Sequence, residues 1–179
     1  MFQWHHEPPR WVEDGDRLSV TTASGSDFWR VTHYGFIRDN GHFFYQTVRG
    51  DFVAEVKVIG RYASLYDQAG LMLRVDERTW LKCGLEYVDG IHNLSAVVTR
   101  DFSDWSVLPL SDPPTSFRIR VERRDVTVKI ECGIEDSDYQ MLRLAYLSDA
   151  REMRVGIMCA SPEGPGFEVG FEELSLHAL

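Results

Sequence analysis

Four side chains able to bind a polar ligand recur at even spacing within residues 65–90. They are Arg74, Trp80, Lys82 and Glu86. Because side chains alternate between the two faces of a β-strand, residues at even spacing share a face. The residues between them are mostly apolar, as at Leu81. We therefore expect the apolar set to lie between two sheets and the charged and aromatic set to look outward.

The strand predicted for residues 93–100 extends this outer face across the turn at Asp89-Gly90. Its apolar residues are expected to face inward, which leaves its polar residues outside. The predicted outer strip comprises Met72, Arg74, Trp80, Lys82, Glu86, Asn93, Ser95 and Thr99. Trp105 follows on the next strand and extends the strip.

An outward tryptophan beside polar groups of fixed geometry suits a sugar. The C–H face of a sugar packs on the ring while its hydroxyls take directed hydrogen bonds. The candidate ligand-binding residues are Tyr66, Asp67, Gln68, Arg74, Trp80, Lys82, Glu86 and Trp105. Arg74 and Lys82 would also suit an acidic or phosphorylated sugar.

The same residues fit a face that binds nothing. Arg74, Lys82 and Glu86 can neutralise one another across strands, and Trp80 can cover a sheet edge. Asp67 and Gln68 can make ordinary backbone bonds in a turn. The sequence leaves both interpretations open.

Catalysis of glycoside hydrolysis would need a second carboxyl group. The two carboxyls of such enzymes lie roughly 5–10 Å apart across the scissile bond. Glu86 has no carboxyl partner at even spacing on its own strand, so the partner would have to arrive from a distant segment, with Asp67 as the candidate. The residues thus favour a non-catalytic role, and no catalytic residue is assigned.

Metal and cofactor chemistry has little support in the sequence. Adjacent His5 and His6 point in opposite directions on an extended segment, and no HExxH, Gly-rich phosphate loop or dinucleotide fingerprint is present. We predict neither a metal site nor a cofactor.

Charge and hydropathy argue against nucleic acid and membrane partners. The formal net charge is −9, from 28 acidic and 19 basic residues, which repels a phosphate backbone. No apolar run approaches the roughly 20 residues that cross a bilayer, and the start lacks the pattern of a signal peptide. The cysteines, Cys83, Cys132 and Cys159, each lie in an apolar run, as expected of reduced, buried thiols in a cytoplasmic protein.

Turn signals recur at roughly ten-residue intervals, a rhythm typical of all-β sandwiches and barrels. Strands are predicted at 17–22, 27–32, 42–49, 52–59, 69–75, 79–88, 93–100, 105–110, 117–123, 126–132, 141–147, 153–160 and 167–176. Asn40-Gly41 and Asp89-Gly90 are predicted to be two-residue hairpin loops. A chain of 179 residues suits a single domain, residues 1–179, and we expect a two-sheet antiparallel jelly-roll sandwich.

Long motifs between Trp11 and Phe171 carry a family resemblance. They read SDFWRVTHYGFIRDNGHFFYQ, YDQAGLMLRVDERTWLKCGLEYVDG, LSAVVTRDFSDWS, RLAYL and VGIMCASPEGPGF. The chain resembles the domain-of-unknown-function family 1349, also called the regulation-of-enolase family, of the concanavalin A-like lectin/glucanase superfamily. The resemblance implies a concanavalin A-like jelly roll. The family has no established activity, so no catalytic residue is carried over.

Two further features qualify this resemblance. The DQAGLM segment looks like part of the β-sandwich domains appended to some xylosidases, which assist sugar handling without supplying the main catalytic carboxyls. Many relatives carry SxDGxxW before RLAYL, whereas this chain reads CGIEDSDYQMLRLAYL. No role is therefore carried over to that hairpin.

We expect a cytoplasmic, non-catalytic binder of a carbohydrate or sugar-phosphate ligand on one sheet face, with a regulatory role in sugar metabolism. Two alternatives stay open: a glycoside-processing enzyme with carboxylates on the same face, and a protein-interaction regulator of a metabolic enzyme, as the family's name suggests.

Overall fold

The protein is a sandwich of two antiparallel sheets, seen in a computed structural model that describes residues 1–179. The strands are β1 (Gln3–His5), β2 (Arg10–Asp14), β3 (Arg17–Thr21), β4 (Phe28–Arg30), β5 (Ile37–Asp39), β6 (His42–Arg49), β7 (Phe52–Gly60), β8 (Gln68–Arg74), β9 (Thr79–Val88), β10 (Ile91–Arg100), β11 (Phe102–Pro109), β12 (Phe117–Arg124), β13 (Thr127–Ile134), β14 (Gln140–Tyr146), β15 (Glu152–Ala160) and β16 (Glu168–Ala178). No helix long and apolar enough to cross a membrane is present.

Each large sheet has seven strands. The front sheet has the order β1-β6-β15-β8-β9-β10-β11, and the back sheet has the order β14-β13-β12-β7-β16-β3-β2. Strands β4 and β5 form a separate two-stranded hairpin. The predicted all-β sandwich is confirmed.

Every strand predicted from the sequence has a counterpart, and β9 has the predicted bounds. The sequence pattern missed β1, β2 and β5. Two of these have only three residues, too few to show an alternation. Strand β2 follows Pro8-Pro9 and is mostly exposed, so it lacks an apolar face to reveal it.

The core between the sheets confirms the predicted strand parity. Leu71, Leu81 and Leu85 of the front sheet are fully buried against residues such as Val56 and Ile119 of the back sheet. This cluster contains 30 buried residues. Burying a side chain of this size contributes roughly 1.5–3 kcal/mol, so the inter-sheet layer is the main source of stability.

One of the two predicted hairpin loops is correct. Asp89 and Gly90 have φ of 50° and 83°, both in the left-handed region that a type I′ turn requires, and they join the paired strands β9 and β10. The hairpin prediction for Asn40-Gly41 is wrong, because this loop joins β5 to β6 in different sheets. Its backbone N–H groups both donate to the carbonyl of Asp27.

The outer face of the front sheet is covered by residues 27–41, which we call the cover hairpin. It consists of β4, a turn and β5, and it buries a second apolar cluster against the sheet. The cluster contains Phe28, Trp29, Phe43, Met72, Trp80, Val97 and Met158. The front sheet therefore carries apolar side chains on both faces.

Two cations of the sheet hold the cover hairpin in place. The Arg74 guanidinium donates to both carboxylate oxygens of Asp39, at 2.6 and 2.8 Å. The Lys82 ammonium donates to the carbonyl of Phe28 at 2.7 Å and lies 3.5 Å from Oδ1 of Asp27. Because Arg74 and Lys82 are buried, each needs these partners to offset its lost hydration.

His42 connects the start of the chain to the segment that leads into the cover hairpin. Its Nδ1 donates to the carbonyl of His6 at 2.8 Å, and its Nε2 accepts from the backbone N–H of Ala23 at 2.9 Å. This pair of bonds requires the neutral ring. Burial lowers the pKa of His42.

Replacing Asp39 by Asn should reduce the free energy of unfolding by about 3 kcal/mol, because a buried guanidinium loses its ionic partner. The control is Asp101→Asn, which breaks the exposed pair with Arg78 and should cost less than about 1 kcal/mol. Urea denaturation of both variants measures the difference. Equal losses of unfolding free energy in the two variants would contradict the stabilising role assigned to the Arg74–Asp39 pair.

Acidification from about pH 7.5 to about pH 5.5 should lower the melting temperature of the wild type more than that of His42→Gln. The unfolded histidine takes up a proton near its ordinary pKa of 6.5, whereas the folded one does so at lower pH. The stability from neutral His42 is thus complete above pH 6.5 and is lost as the pH falls toward the folded pKa. His177→Gln, at an exposed position, should keep the wild-type dependence. Identical pH dependence in the wild type and His42→Gln would refute the assignment.

Candidate functional site

A cavity of about 70 Å³ lies between the cover hairpin and the outer face of the front sheet. It is lined by Asp27, Trp29, Tyr34, Phe36, Arg38, Tyr66, Gln68, Lys82, Glu86, Trp105, Pro162 and Glu163. One water needs about 10–15 Å³ by this measure. The cavity thus has room for several waters or for part of one small ligand.

Glu86 forms the polar floor of the cavity. Its Oε2 accepts hydrogen bonds from Oγ of Ser95 at 2.7 Å and from Nε1 of Trp105 at 2.9 Å. Its Oε1 makes no hydrogen bond within the protein, although the residue is only 6% exposed. Burial raises the pKa of Glu86, and the nearby Lys82 ammonium opposes that rise.

Aromatic rings form the walls of the cavity. Trp29 and Trp105 meet edge to face with centroids 6.3 Å apart, and Tyr66 meets Trp105 at 6.2 Å. Tyr34 packs edge-on against Trp29 at 5.6 Å. Nε1 of Trp29 donates to the carbonyl of Thr32, which fixes the ring on the cover hairpin.

Two tyrosines form the mouth of the cavity. The hydroxyls of Tyr34 and Tyr66 lie 2.9 Å apart, and this hydrogen bond raises the pKa of Tyr66. Tyr66 has φ of 67°, while Tyr34 lies between His33 and Gly35 at 65° and 74°. Left-handed backbone at non-glycine residues is uncommon and is concentrated at functional sites.

A pair of glycines deepens the floor between β8 and β9. Gly70 and Gly84 are direct cross-strand partners, and a Cβ on either would come within 2.0 Å of a carbonyl oxygen of the other strand. Beside them lies a hollow of about 10 Å³, bordered by Gln68, Lys82 and Glu86. This volume accommodates one water molecule.

Most of the sequence-predicted ligand residues meet at this cavity. Those that line it are Tyr66, Gln68, Lys82, Glu86 and Trp105. They come from four separate segments: the loop before β8, and the strands β8, β9 and β11. Strand parity brings the strand residues to one face, and the cover hairpin closes a space above them.

Asp67 does not line the cavity, which corrects its predicted place. Its Oδ2 accepts from the backbone N–H groups of Ala63 and Ser64, and its Oδ1 accepts from Oγ of Ser161 at 2.6 Å. Asp67 therefore stabilises the turn that presents Tyr66. The predicted carboxylate pair of Glu86 and Asp67 is not assembled.

Arg74 and Trp80 are likewise absent from the cavity lining. The guanidinium of Arg74 binds Asp39 beneath the cover hairpin. Trp80, predicted to be exposed, has 0% exposure because Phe28 packs on it with centroids 6.2 Å apart. Both residues attach the cover hairpin instead of facing a ligand.

The contribution of the cover hairpin to the cavity was not predicted from the sequence pattern. Its cavity residues are Asp27, Trp29, Tyr34, Phe36 and Arg38, and the loop after β15 adds Pro162 and Glu163. The available signal was the density of aromatic residues within residues 28–36. These aromatic residues show no regular alternation, because the turn at 31–35 separates two strands of only three residues each.

A larger hollow of about 300 Å³ lies on the back sheet, but two of the three arginines that line it are paired with carboxylates. Arg17 binds Glu172 at 3.0 Å, and Arg61 lies 3.7 Å from Glu168. The hollow has no aromatic wall. The cavity under the cover hairpin is therefore the better candidate site.

The cavity has the composition of a small-molecule site, with aromatic walls and a few convergent polar groups. No group of three or more His, Cys, Asp or Glu side chains has a metal-binding arrangement. The two carboxylates of the interior, Glu86 and Asp27, flank the Lys82 ammonium. This arrangement can orient a polar ligand that donates hydrogen bonds.

Solved structures with low sequence identity share the fold. A GH43 protein from Bacillus licheniformis matches 99% of this chain and 37% of its own length, with a TM-score of 0.76 and 14% identity. The carbohydrate binding module CBM66 from Bacillus subtilis matches 98% of this chain and 95% of its own, with a TM-score of 0.61 and 11% identity. At these identities the likeness is one of fold alone.

Relatives of higher identity come from Saccharomyces cerevisiae. The protein named Regulation of enolase protein 1 is 38% identical over 175 residues, which cover 98% of this chain and 88% of the relative. A crystal structure of a functionally unknown protein from the same organism has 37% identity and a TM-score of 0.95, covering 99% and 96% of the two chains. The family described as protein of unknown function (DUF1349) matches residues 4–179. As its motifs predicted, this chain belongs to the DUF1349 family.

Proposed function

We propose that this protein is a non-catalytic binder of a small carbohydrate or sugar-derived ligand, held in the cavity under the cover hairpin. One observation carries the proposal: five residues selected from the sequence as ligand contacts converge on a single cavity whose buried floor presents an unbonded carboxylate oxygen. Convergent polar groups within aromatic walls are the ordinary composition of a ligand site.

The aromatic and polar groups are arranged as a sugar requires. Trp29 and Trp105 offer ring surface to the C–H face of a pyranose, while Glu86 and Gln68 offer acceptors to its hydroxyls. The amide of Gln68 donates to the carbonyl of Tyr66, which leaves its oxygen open for the ligand. Glu86 and Gln68 are thus each held by hydrogen bonds within the protein, and each keeps one oxygen free to accept from a ligand.

The carboxylates support a non-catalytic role. Asp67 is engaged in its turn, so Glu86 lacks the partner that the enzyme hypothesis assigned to it. The thiols do not supply an alternative nucleophile, because burial raises the pKa of Cys83 and Cys159. Three free, buried cysteines also support a cytoplasmic location as part of the proposal.

Replacing Trp105 by Ala should weaken sugar binding at least about tenfold, since truncating a central aromatic contact typically costs 2 kcal/mol or more. Titration of a panel of mono- and disaccharides, followed by calorimetry, measures the effect. Trp11→Ala is the matched control, because Trp11 is also partly buried but lies on β2, outside the cavity. Failure of the wild type to bind any member of the panel would remove the proposal.

A second candidate function is regulation of enolase by direct contact. The observation that favours it is the name of the 38% identical relative together with an apolar strip on the edge strand β14. Met141, Leu144 and Tyr146 are exposed there and face outward beside β13. An unpaired edge with exposed apolar side chains is a ready surface for another protein.

Leu144→Asp should abolish co-sedimentation of the purified protein with enolase, because it places a charge in the proposed contact. The control is Ile91→Asp, which changes another exposed apolar residue, at the start of β10. Sedimentation velocity and enolase assays would report both binding and its effect. Absence of any complex with wild-type protein at physiological salt would reject this candidate.

A further inference from the structure

We propose that the ligand of the cavity presents a protonated amine to Glu86, so that amino sugars are preferred over neutral and phosphorylated sugars. The inference rests on the proposed function, because it specifies the ligand class of the same site. Three observations support the inference: the pairing of charges around the cavity, the excess of unbonded acceptors at its floor and its aromatic walls.

Charge pairing leaves Glu86 as the unbalanced group. Five charged side chains line the cavity: Asp27, Arg38, Lys82, Glu86 and Glu163. Lys82 binds Asp27, and Arg38 lies 3.8 Å from Glu163 at the rim. Glu86 has no ion-pair partner, and a buried carboxylate without one is strongly destabilised relative to water. A cationic ligand group would supply the missing charge.

A phosphorylated ligand is disfavoured because Arg74 does not face the cavity. The prediction of a sugar phosphate depended on Arg74 and Lys82 facing the ligand together. The guanidinium of Arg74 is instead consumed by Asp39, and the Lys82 ammonium is held by Asp27 and the carbonyl of Phe28. A phosphate at the floor would therefore meet the carboxylate of Glu86, while Arg38, the one loosely paired cation of the lining, lies at the rim.

Hydrogen-bonding capacity at the floor of the cavity is biased toward acceptors, whereas the N–H groups of Arg38 lie at the rim. Oε1 of Glu86, Oδ2 of Asp27 and Oε1 of Gln68 make no hydrogen bond within the protein. In contrast, the Trp105 N–H is already donated, and Lys82 already has two acceptors. An ammonium group offers up to three donors and matches this excess.

The aromatic walls favour a cation as well. Trp29, Tyr34, Tyr66 and Trp105 surround the space above Glu86. The negative faces of such rings attract ammonium groups, most strongly when the cation is desolvated. Neutral hydroxyl groups gain no comparable attraction, so the walls add to the selectivity that Glu86 provides.

The affinities of matched sugars test the inference. Glucose, galactose and mannose would be compared by calorimetry with glucosamine, galactosamine and mannosamine, with their N-acetyl forms and with glucose 6-phosphate. At least one hexosamine should bind about tenfold or more tightly than its parent hexose, since an added ion pair and cation–π contact exceed 1.4 kcal/mol. Acetylation should remove the advantage because it removes the charge.

Glu86→Gln identifies the residue responsible. Glutamine keeps an acceptor for Ser95 and Trp105 but lacks the charge, so this variant should bind hexose and hexosamine equally. Glu152→Gln, an exposed change outside the cavity, should keep the wild-type preference. Melting curves establish that both variants are folded.

The pH dependence of wild-type binding provides a test that needs no variant. Glu86 faces Lys82, Asp27, Ser95, Trp105 and Tyr66. Because burial raises its pKa, Glu86 loses its charge at a higher pH than an ordinary carboxyl. Hexosamine affinity should therefore fall on acidification, while affinity for the parent hexose should change less. A hexosamine affinity that does not fall would overturn the inference.

The outcomes separate this inference from the proposed function. Equal binding of hexose and hexosamine by the wild type, or a preference that survives in Glu86→Gln, would overturn the inference and leave sugar binding intact. Methylammonium, titrated as a further probe, carries the cation without the sugar. Its binding with no binding of any sugar would support the cation site and overturn the carbohydrate part of the proposed function. Absence of binding by every probe would overturn both.

Discussion

The front sheet is covered on both faces, and this constraint governs the rest of the structure. Its inner face packs on the back sheet, as in any sandwich, while its outer face packs beneath residues 27–41. That second burial removes Arg74, Lys82 and Glu86 from water. Each buried charge then requires a partner, because the cost of dehydrating an unpaired ion is several kcal/mol.

Two of the three charges have an ionic partner, and the third does not. Arg74 is neutralised by Asp39 in a two-bond contact, and Lys82 is held by Asp27 and a backbone carbonyl. Glu86 receives only neutral donors, from Ser95 and Trp105. The cover hairpin thus supplies ionic partners for Arg74 and Lys82 but none for Glu86, which faces the cavity.

Backbone geometry distinguishes Asp67 from the polar groups that line the cavity. Asp67 binds the turn before β8 through Oδ2 and Ser161 through Oδ1, and left-handed Tyr66 lies in that turn. The left-handed residues around Tyr34 hold the opposite side of the mouth. A ring pair joined by one hydroxyl contact therefore borders the mouth of the cavity.

The sequence by itself determined the sandwich, thirteen of its sixteen strands and which residues of β8, β9 and β10 share a face, because a period of two is a local property of an extended chain. This was sufficient to select Lys82, Glu86 and Trp105 for the outer surface. It could not determine what lies on that surface. The cover hairpin has strands of three residues, and Asn40-Gly41 resembles an ordinary hairpin loop. Only tertiary packing decided that Phe28 would bury Trp80, that Asp39 would take Arg74 and that Glu86 would remain facing a cavity, because these contacts join segments far apart in the chain.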